Sequence, residues 1–113
     1  MSAGKNVFVG PMVRREQRRY RRRGPTRTTR LLVEALREHG VEGATLLDIG
    51  GGVGAVQQEL LSAGVERVVG VDAAPAYVEA ARDEAARRGT LGRVRLLCGD
   101  FVDLAPELAP EDV

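Results

Sequence analysis

Aromatic side chains are scarce here: the chain has no tryptophan, two tyrosines and two phenylalanines among its 113 residues. A core must therefore be built mainly from Leu, Val and Ala. There is one cysteine, Cys98, which excludes an internal disulfide and a thiolate metal cluster and suits a reducing compartment. No apolar run is long enough to span a membrane, and the basic N-terminal segment lacks the apolar stretch of a secretory signal. The absences describe a cytoplasmic protein with no metal site. Its length is that of one ordinary domain.

Charge is present in quantity but unevenly placed. Residues 1–30 hold Lys5, Arg14, Arg15, Arg18, Arg19, Arg21, Arg22, Arg23, Arg27 and Arg30 against Glu16 alone, a net +9, and the remaining chain carries −8. The division predicts a basic arm, helical in part, over 1–30 and an acidic body over 31–113. Residues 1–12 read as an irregular lead broken by Gly4, Gly10 and Pro11. Val13, Gln17 and Tyr20 then fall on one face of a helix whose other faces are arginine. The expected role of those arginines is a solvated face that interacts with the acidic body. Contact with nucleic acid is the alternative, not favoured on charge alone, and a membrane-surface role lacks an apolar face.

Beyond Pro25 the pattern becomes regular. A helix capped by Thr28 or Thr29, with Leu31, Leu32, Ala35 and Leu36 as its buried face, ends near His39 and Gly40. ATLLDI (44–49) reads as a buried strand, Val56, Leu60 and Leu61 as one helix face, ERVVGVD (66–72) as a second strand, and AYVEAARDEAARRG (76–89) as an alanine-rich helix behind Pro75. RVRLLCGD (93–100) is the third strand, and FVDLAPELAPEDV trails off through two prolines. Strands alternating with helices predict an α/β fold with a parallel sheet, right-handed crossovers and helices on both faces.

In such sheets ligands sit beyond the carboxyl ends of the strands. LLDIGGGVG (46–54) lies there, and its glycines bring backbone N–H groups close to a ligand while the following helix start favours an anion. Two templates fit. Gly50, Gly52 and Ala55 match the dinucleotide pattern G-x-G-x-x-A, whereas Asp48, Gly50, Gly52 and Gly54 match D-x-G-x-G-x-G. Asp48 would repel a pyrophosphate and attract an ammonium group. Asp72, at the end of the second strand, suits a vicinal diol in either case, because a carboxylate only accepts hydrogen bonds.

LLDIGGGVG, VVGVDAAP and LLCGDF, in that order across residues 44–101, resemble the three cofactor motifs of class I S-adenosylmethionine-dependent methyltransferases. The resemblance implies a Rossmann-like, doubly wound parallel sheet of which the first three strands are present, preceded by two helices. It implies that Gly50, Gly52 and Gly54 shape the loop under the methionine part of S-adenosyl-L-methionine, with Asp48 fixing that loop. Asp72 would accept from both ribose hydroxyls, and Asp100 and Phe101 would contact adenine. Family members place acceptor and catalytic groups after the fourth strand, so no catalytic residue and no methyl acceptor are assigned. The expectation is a truncated methyltransferase or a half that pairs with a missing second half. An NAD-binding oxidoreductase domain and a non-catalytic cofactor-binding half remain open.

Each of these residues also has a plainer reading. Asp48 could brace the turn, Asp72 could cap the next helix, and Asp100 could be a strand-end turn residue. Cys98 reads as a small buried hydrophobe, and His39 as a helix-end residue.

Overall fold

The computed structural model describes residues 4–108, so the last residues of the trailing C-terminal stretch lie outside it. The elements run α1 (Gly4–Arg23), α2 (Arg27–His39), β1 (Thr45–Ile49), α3 (Ala55–Ser62), β2 (Arg67–Asp72), α4 (Pro75–Arg87), a 3-10 turn (Leu91–Arg93), β3 (Val94–Cys98) and the short α5 (Phe101–Leu104), followed by a second 3-10 turn (Ala105–Glu107). The three strands form one parallel sheet in the order β1-β2-β3. The expected α/β architecture, with two helices ahead of the first strand, is present.

β2 is central, and it carries the most continuous apolar run. Val68, Val69 and Val71 are buried, as expected of a strand flanked on both sides. Val68 packs with Leu60 and Leu61 of α3 and Val33 of α2, while Leu46 and Val94 close the same cluster from the neighbouring strands. One position along, Gly70 meets the Gln57 side chain of α3 and Leu96 of β3. Both crossover helices lie on this one face, since successive right-handed crossovers in a strand order without reversal return to the same side. The sequence pattern predicts helical cover on both faces. Among the described residues it is found on one, and Ile49 on the other face is 53% exposed.

Four local expectations are corrected. The segment read as an irregular lead is helical from Gly4 and passes through Pro11. A proline removes one helical bond, but an anchored downstream turn can carry the helix through it. Here the anchors are Val13 and Tyr20, both buried in a cluster with Val53 and Ala80. Helix α2 is capped by Thr26, whose side chain accepts from the Thr29 N–H, rather than by Thr28 or Thr29. Its docking stripe is Val33 with Leu36; Leu31 and Leu32, expected inside, are 54% and 47% exposed, and Ala35 is exposed too. Cys98 is exposed, because β3 is an edge strand whose last residue has no neighbour beyond it.

Helix α1 is fastened to the body by polar contacts as well. Glu84 of α4, 1% exposed, receives Arg21 at 2.8 Å and Arg87 and Arg88 at 3.1 Å. Burial alone would raise its pKa, but hydrogen bonds from Arg21 and Arg88 and the field of the guanidinium groups hold it below the usual carboxylate value. Tyr20 donates to Glu59 at 2.6 Å, with the Arg88 guanidinium 4.8 Å from its ring centre. Burial, then the bond to Glu59, push the phenol far above its ordinary pKa. No helix among the described residues is long and apolar enough to cross a membrane.

Candidate functional site

The carboxyl ends of the three strands are held together by two backbone bonds beyond the regular pairing. The Gly50 N–H donates to the Val71 carbonyl at 2.7 Å, and the Gly99 N–H to the Asp72 carbonyl at 2.9 Å. These bonds draw the loops after β1 and β3 against the end of β2. The result is a cleft of about 290 Å³ lined by Ile49, Gly50, Val71, Asp72, Ala73, Gly99, Asp100 and Phe101. Four of the residues singled out in the sequence, Gly50, Asp72, Asp100 and Phe101, therefore share one cavity although they come from three separate loops.

The glycine loop turns sharply to reach α3. Gly50, Gly52 and Gly54 have φ of 70°, 60° and 85°, a region that side-chain-bearing residues resist. Gly51, which the motif does not single out, is fixed by space instead: a Cβ there would run into the Asp48 carboxylate. Gly54 serves as the α3 N-cap position and packs against Ala81 of α4, away from the cleft.

Asp48 does not line the cleft. It sits under the loop on the helix-covered side of β1 and accepts one hydrogen bond from Gln57 Nε2 at 3.0 Å. Burial raises its pKa most; the bond from Gln57 opposes that rise, and the nearby Asp72 charge adds to it. The carboxylate is thus short of compensating charge. Asp72 bridges two loops: Oδ1 accepts from the Ala74 N–H at 2.9 Å and Oδ2 from the Gly52 N–H at 3.4 Å. The first bond forms a turn just ahead of α4, whose N-cap is Ala74 with no side-chain cap, so Asp72 does not cap that helix as the plainer reading had it; the second ties down the glycine loop, and together they use only part of the carboxylate's four acceptor sites. Asp100 caps α5 through the Val102 N–H at 2.9 Å.

Across the glycine loop lies a second cavity of about 250 Å³, where Glu16, Arg19 and Tyr20 of α1, the capping Thr26 and Thr29 of α2 face Gly50–Val53. Gly50 borders both cavities. Tyr77 of α4 donates to Glu16 at 2.7 Å, and burial first, then this bond, push its phenol up to about 12. Sequence reasoning missed Gln57 and the contribution of α1. Adjacent glutamines, Gln57 and Gln58, inside an otherwise apolar helix face were the available signal for the first. Arg19 carries no mark that sets it apart within a run of arginines. Among the described residues no group of three or more His, Cys, Asp or Glu gathers as a metal site.

A parallel sheet whose glycine loop and whose acids at the ends of the second and third strands meet in one cleft has the layout of a nucleoside-cofactor site. Residues 46–113 match the family model described as "Methyltransferase domain", and this chain belongs to the class I S-adenosylmethionine-dependent methyltransferases. The dinucleotide alternative is thereby set aside. The chain is 39% identical over 69 residues to the ribosomal protein L11 methyltransferase of Tolumonas auensis, covering 61% of this chain and 24% of that protein. Among solved structures it resembles the precorrin 8w decarboxylase of Methanobacterium thermoautotrophicum, with TM-score 0.63, 29% identity, and coverage of 75% of this chain and 45% of the other. The fold is shared with a SAM-dependent methyltransferase from Thiobacillus denitrificans solved with S-adenosyl-L-homocysteine, with TM-score 0.56, 24% identity, and coverage of 67% and 30%. The chain spans about a quarter of the length of the curated relatives it matches.

Proposed function

We propose that this chain is the cofactor-holding part of a methyltransferase and seats S-adenosylmethionine across the carboxyl ends of β1, β2 and β3. The observation that carries the reading is the convergence of Gly50, Asp72, Asp100 and Phe101 on one cleft. The donor set fits the ligand. Asp72 offers unfilled acceptor sites to a ribose diol, Asp100 an acceptor to an exocyclic amine, and Phe101 an apolar ring to a base. The Gly51 N–H, left over once Gly50 and Gly52 have donated to Val71 and Asp72, and the start of α3 offer N–H groups to the methionine carboxylate, with the Arg19 guanidinium across the second cavity. Asp48 contributes negative potential beneath a ligand that carries an ammonium and a sulfonium.

When bound, S-adenosylmethionine supplies an electrophilic methyl group. The contribution of this chain is alignment and a negative field around the cation, neither of which needs a general base. A cytoplasmic location accords with the single unpaired cysteine. The family model covers residues 46–113, which hold the cofactor seat, so the methyl acceptor is a separate question, addressed by methyl transfer to fractionated cell extract.

Isothermal titration with S-adenosylhomocysteine and with NAD tests the proposal. Binding of the first is expected, and Asp72→Ala should weaken it roughly 10- to 100-fold, about 1–3 kcal/mol for hydrogen bonds to a charged acceptor. Binding of NAD alone would overturn the reading, and an unchanged affinity in the variant would leave Asp72 as a loop brace.

A further inference from the structure

The arginines of α1 are not consumed by the acidic body. Arg21 alone among them forms an ion pair with described residues, to Glu84, while Arg19 donates to the Gly24 carbonyl. Arg14, Arg15, Arg18, Arg22 and Arg23 are exposed, and no acid among the described residues pairs with them. The anchoring of the helix explains the arrangement. With 3.6 residues per turn, the buried Val13 and Tyr20 and the part-buried Gln17, which donates to the Ala80 carbonyl, form one stripe, and Arg15, Arg18 and Arg22 point directly away from it. The body fixes the helix with its arginines outward. Like charges at these spacings repel within the helix, and no described neighbour relieves them.

We propose that this outer face of α1 binds the phosphate backbone of a nucleic acid. Charge density favours that partner. Five exposed arginines outside any ion pair among the described residues, over roughly 15 Å of helix between positions 14 and 23, give one positive charge per about 3 Å. Duplex nucleic acid presents one negative charge per about 1.7 Å of axis, enough for every one of these arginines to meet a phosphate, whereas an extended peptide reaches a comparable density, one per about 3.3 Å, only if it is acidic at every position. A lipid surface would call for apolar side chains among the arginines, and those of α1 are turned inward at Val13 and Tyr20. The face adjoins the cofactor end, since Arg19 and Glu16 line the cavity that also contains Gly50–Gly52. Asp48, Asp72 and Asp100 would repel phosphates from the cleft itself, so a nucleic acid would lie beside the cofactor and not displace it.

The test is binding of 20-base-pair RNA and DNA duplexes to the full chain between about 50 and 200 mM salt. An affinity that falls with a log-log slope near −4 is expected, about 0.9 per phosphate contacted. The triple variant Arg15→Ala, Arg18→Ala, Arg22→Ala should lose more than tenfold in affinity at the lower salt and flatten the slope by about 2.7. Its helix content and its affinity for S-adenosylhomocysteine should stay as they are. That second readout separates failure of this proposal from failure of the cofactor reading, on which it does not depend. Equal affinity for poly-glutamate or for phosphatidylserine vesicles, or a triple variant with unchanged slope, would overturn it.

Discussion

Two carboxylates, the buried Glu84 at the α1–α4 junction and the half-buried Asp48 beneath the glycine loop, are handled in opposite ways. Glu84 is surrounded by Arg21, Arg87 and Arg88, and its pKa is driven down. Asp48 has one amide partner and an acidic neighbour, and burial, with the Asp72 charge added, drives its pKa up against the bond from Gln57. The first is a completed ion cluster that joins two helices. The second is an incomplete one, at the place where a cationic ligand would supply what is missing. On the proposed cofactor reading the missing compensation comes from the ligand, whereas a purely structural role would favour filling it within the protein.

The sharpest way to break this contrast is to remove each charge. Glu84→Gln should lower the unfolding free energy by about 2 kcal/mol in urea titration. Losing one partner of a covered cluster leaves three guanidinium groups repelling one another, and their partial exposure keeps the cost below that of a fully buried pair. Affinity for S-adenosylhomocysteine should change little. Asp48→Asn should do the reverse, leaving stability equal or higher while weakening S-adenosylhomocysteine binding by about 1 kcal/mol, since a half-buried charge is removed along with its attraction for the ligand. If Asp48→Asn destabilised the fold and left binding intact, Asp48 would be a brace and the contrast would fail.

The pH dependence of stability should separate the two acids as well. The folded pKa of Glu84 is depressed, so its contribution is present above the unfolded value of 4.5 and disappears as pH falls through the folded one. Asp48 is raised above its unfolded 3.8, so its favourable contribution exists below that value and is lost as pH rises through the folded pKa. The stability of Asp48→Asn relative to the parent should therefore grow from acid toward neutral pH in thermal melts. The smallest effect expected is that of Tyr77→Phe, which removes an exposed bond to Glu16 and should cost about 0.5 kcal/mol.

Much of the cofactor seat is legible in the amino-acid sequence. β1, β2 and β3 begin and end within about two residues of the apolar runs that announce them, and Gly50, Asp72, Asp100 and Phe101, which the three motifs single out, lie in one cleft. Gln57 is legible only in part: the glutamine pair inside an apolar helix face marks it as unusual, but its partner is not readable, because that depends on meeting Asp48 across a loop. Leu31 and Leu32 mislead for a related reason: an apolar residue at helical spacing states a preference for burial, and α2 offers its neighbours only the stripe that includes Val33. Pro11 misleads in the other direction, since a local breaker is overridden by contacts made further along the helix.

The sequence alone determined the order of helices and strands and the family, because periodicity, caps and glycine turns act over a few residues, and the three motifs each lie within one loop. Tertiary structure decided the rest. It turned Val13 and Tyr20 inward and so aimed Arg15, Arg18 and Arg22 at solvent, put Cys98 on an exposed edge, and left Asp48 under-compensated beside a cleft while saturating Glu84. Each of these outcomes depends on which residue, distant in the chain, arrives alongside, and a local pattern holds no record of that.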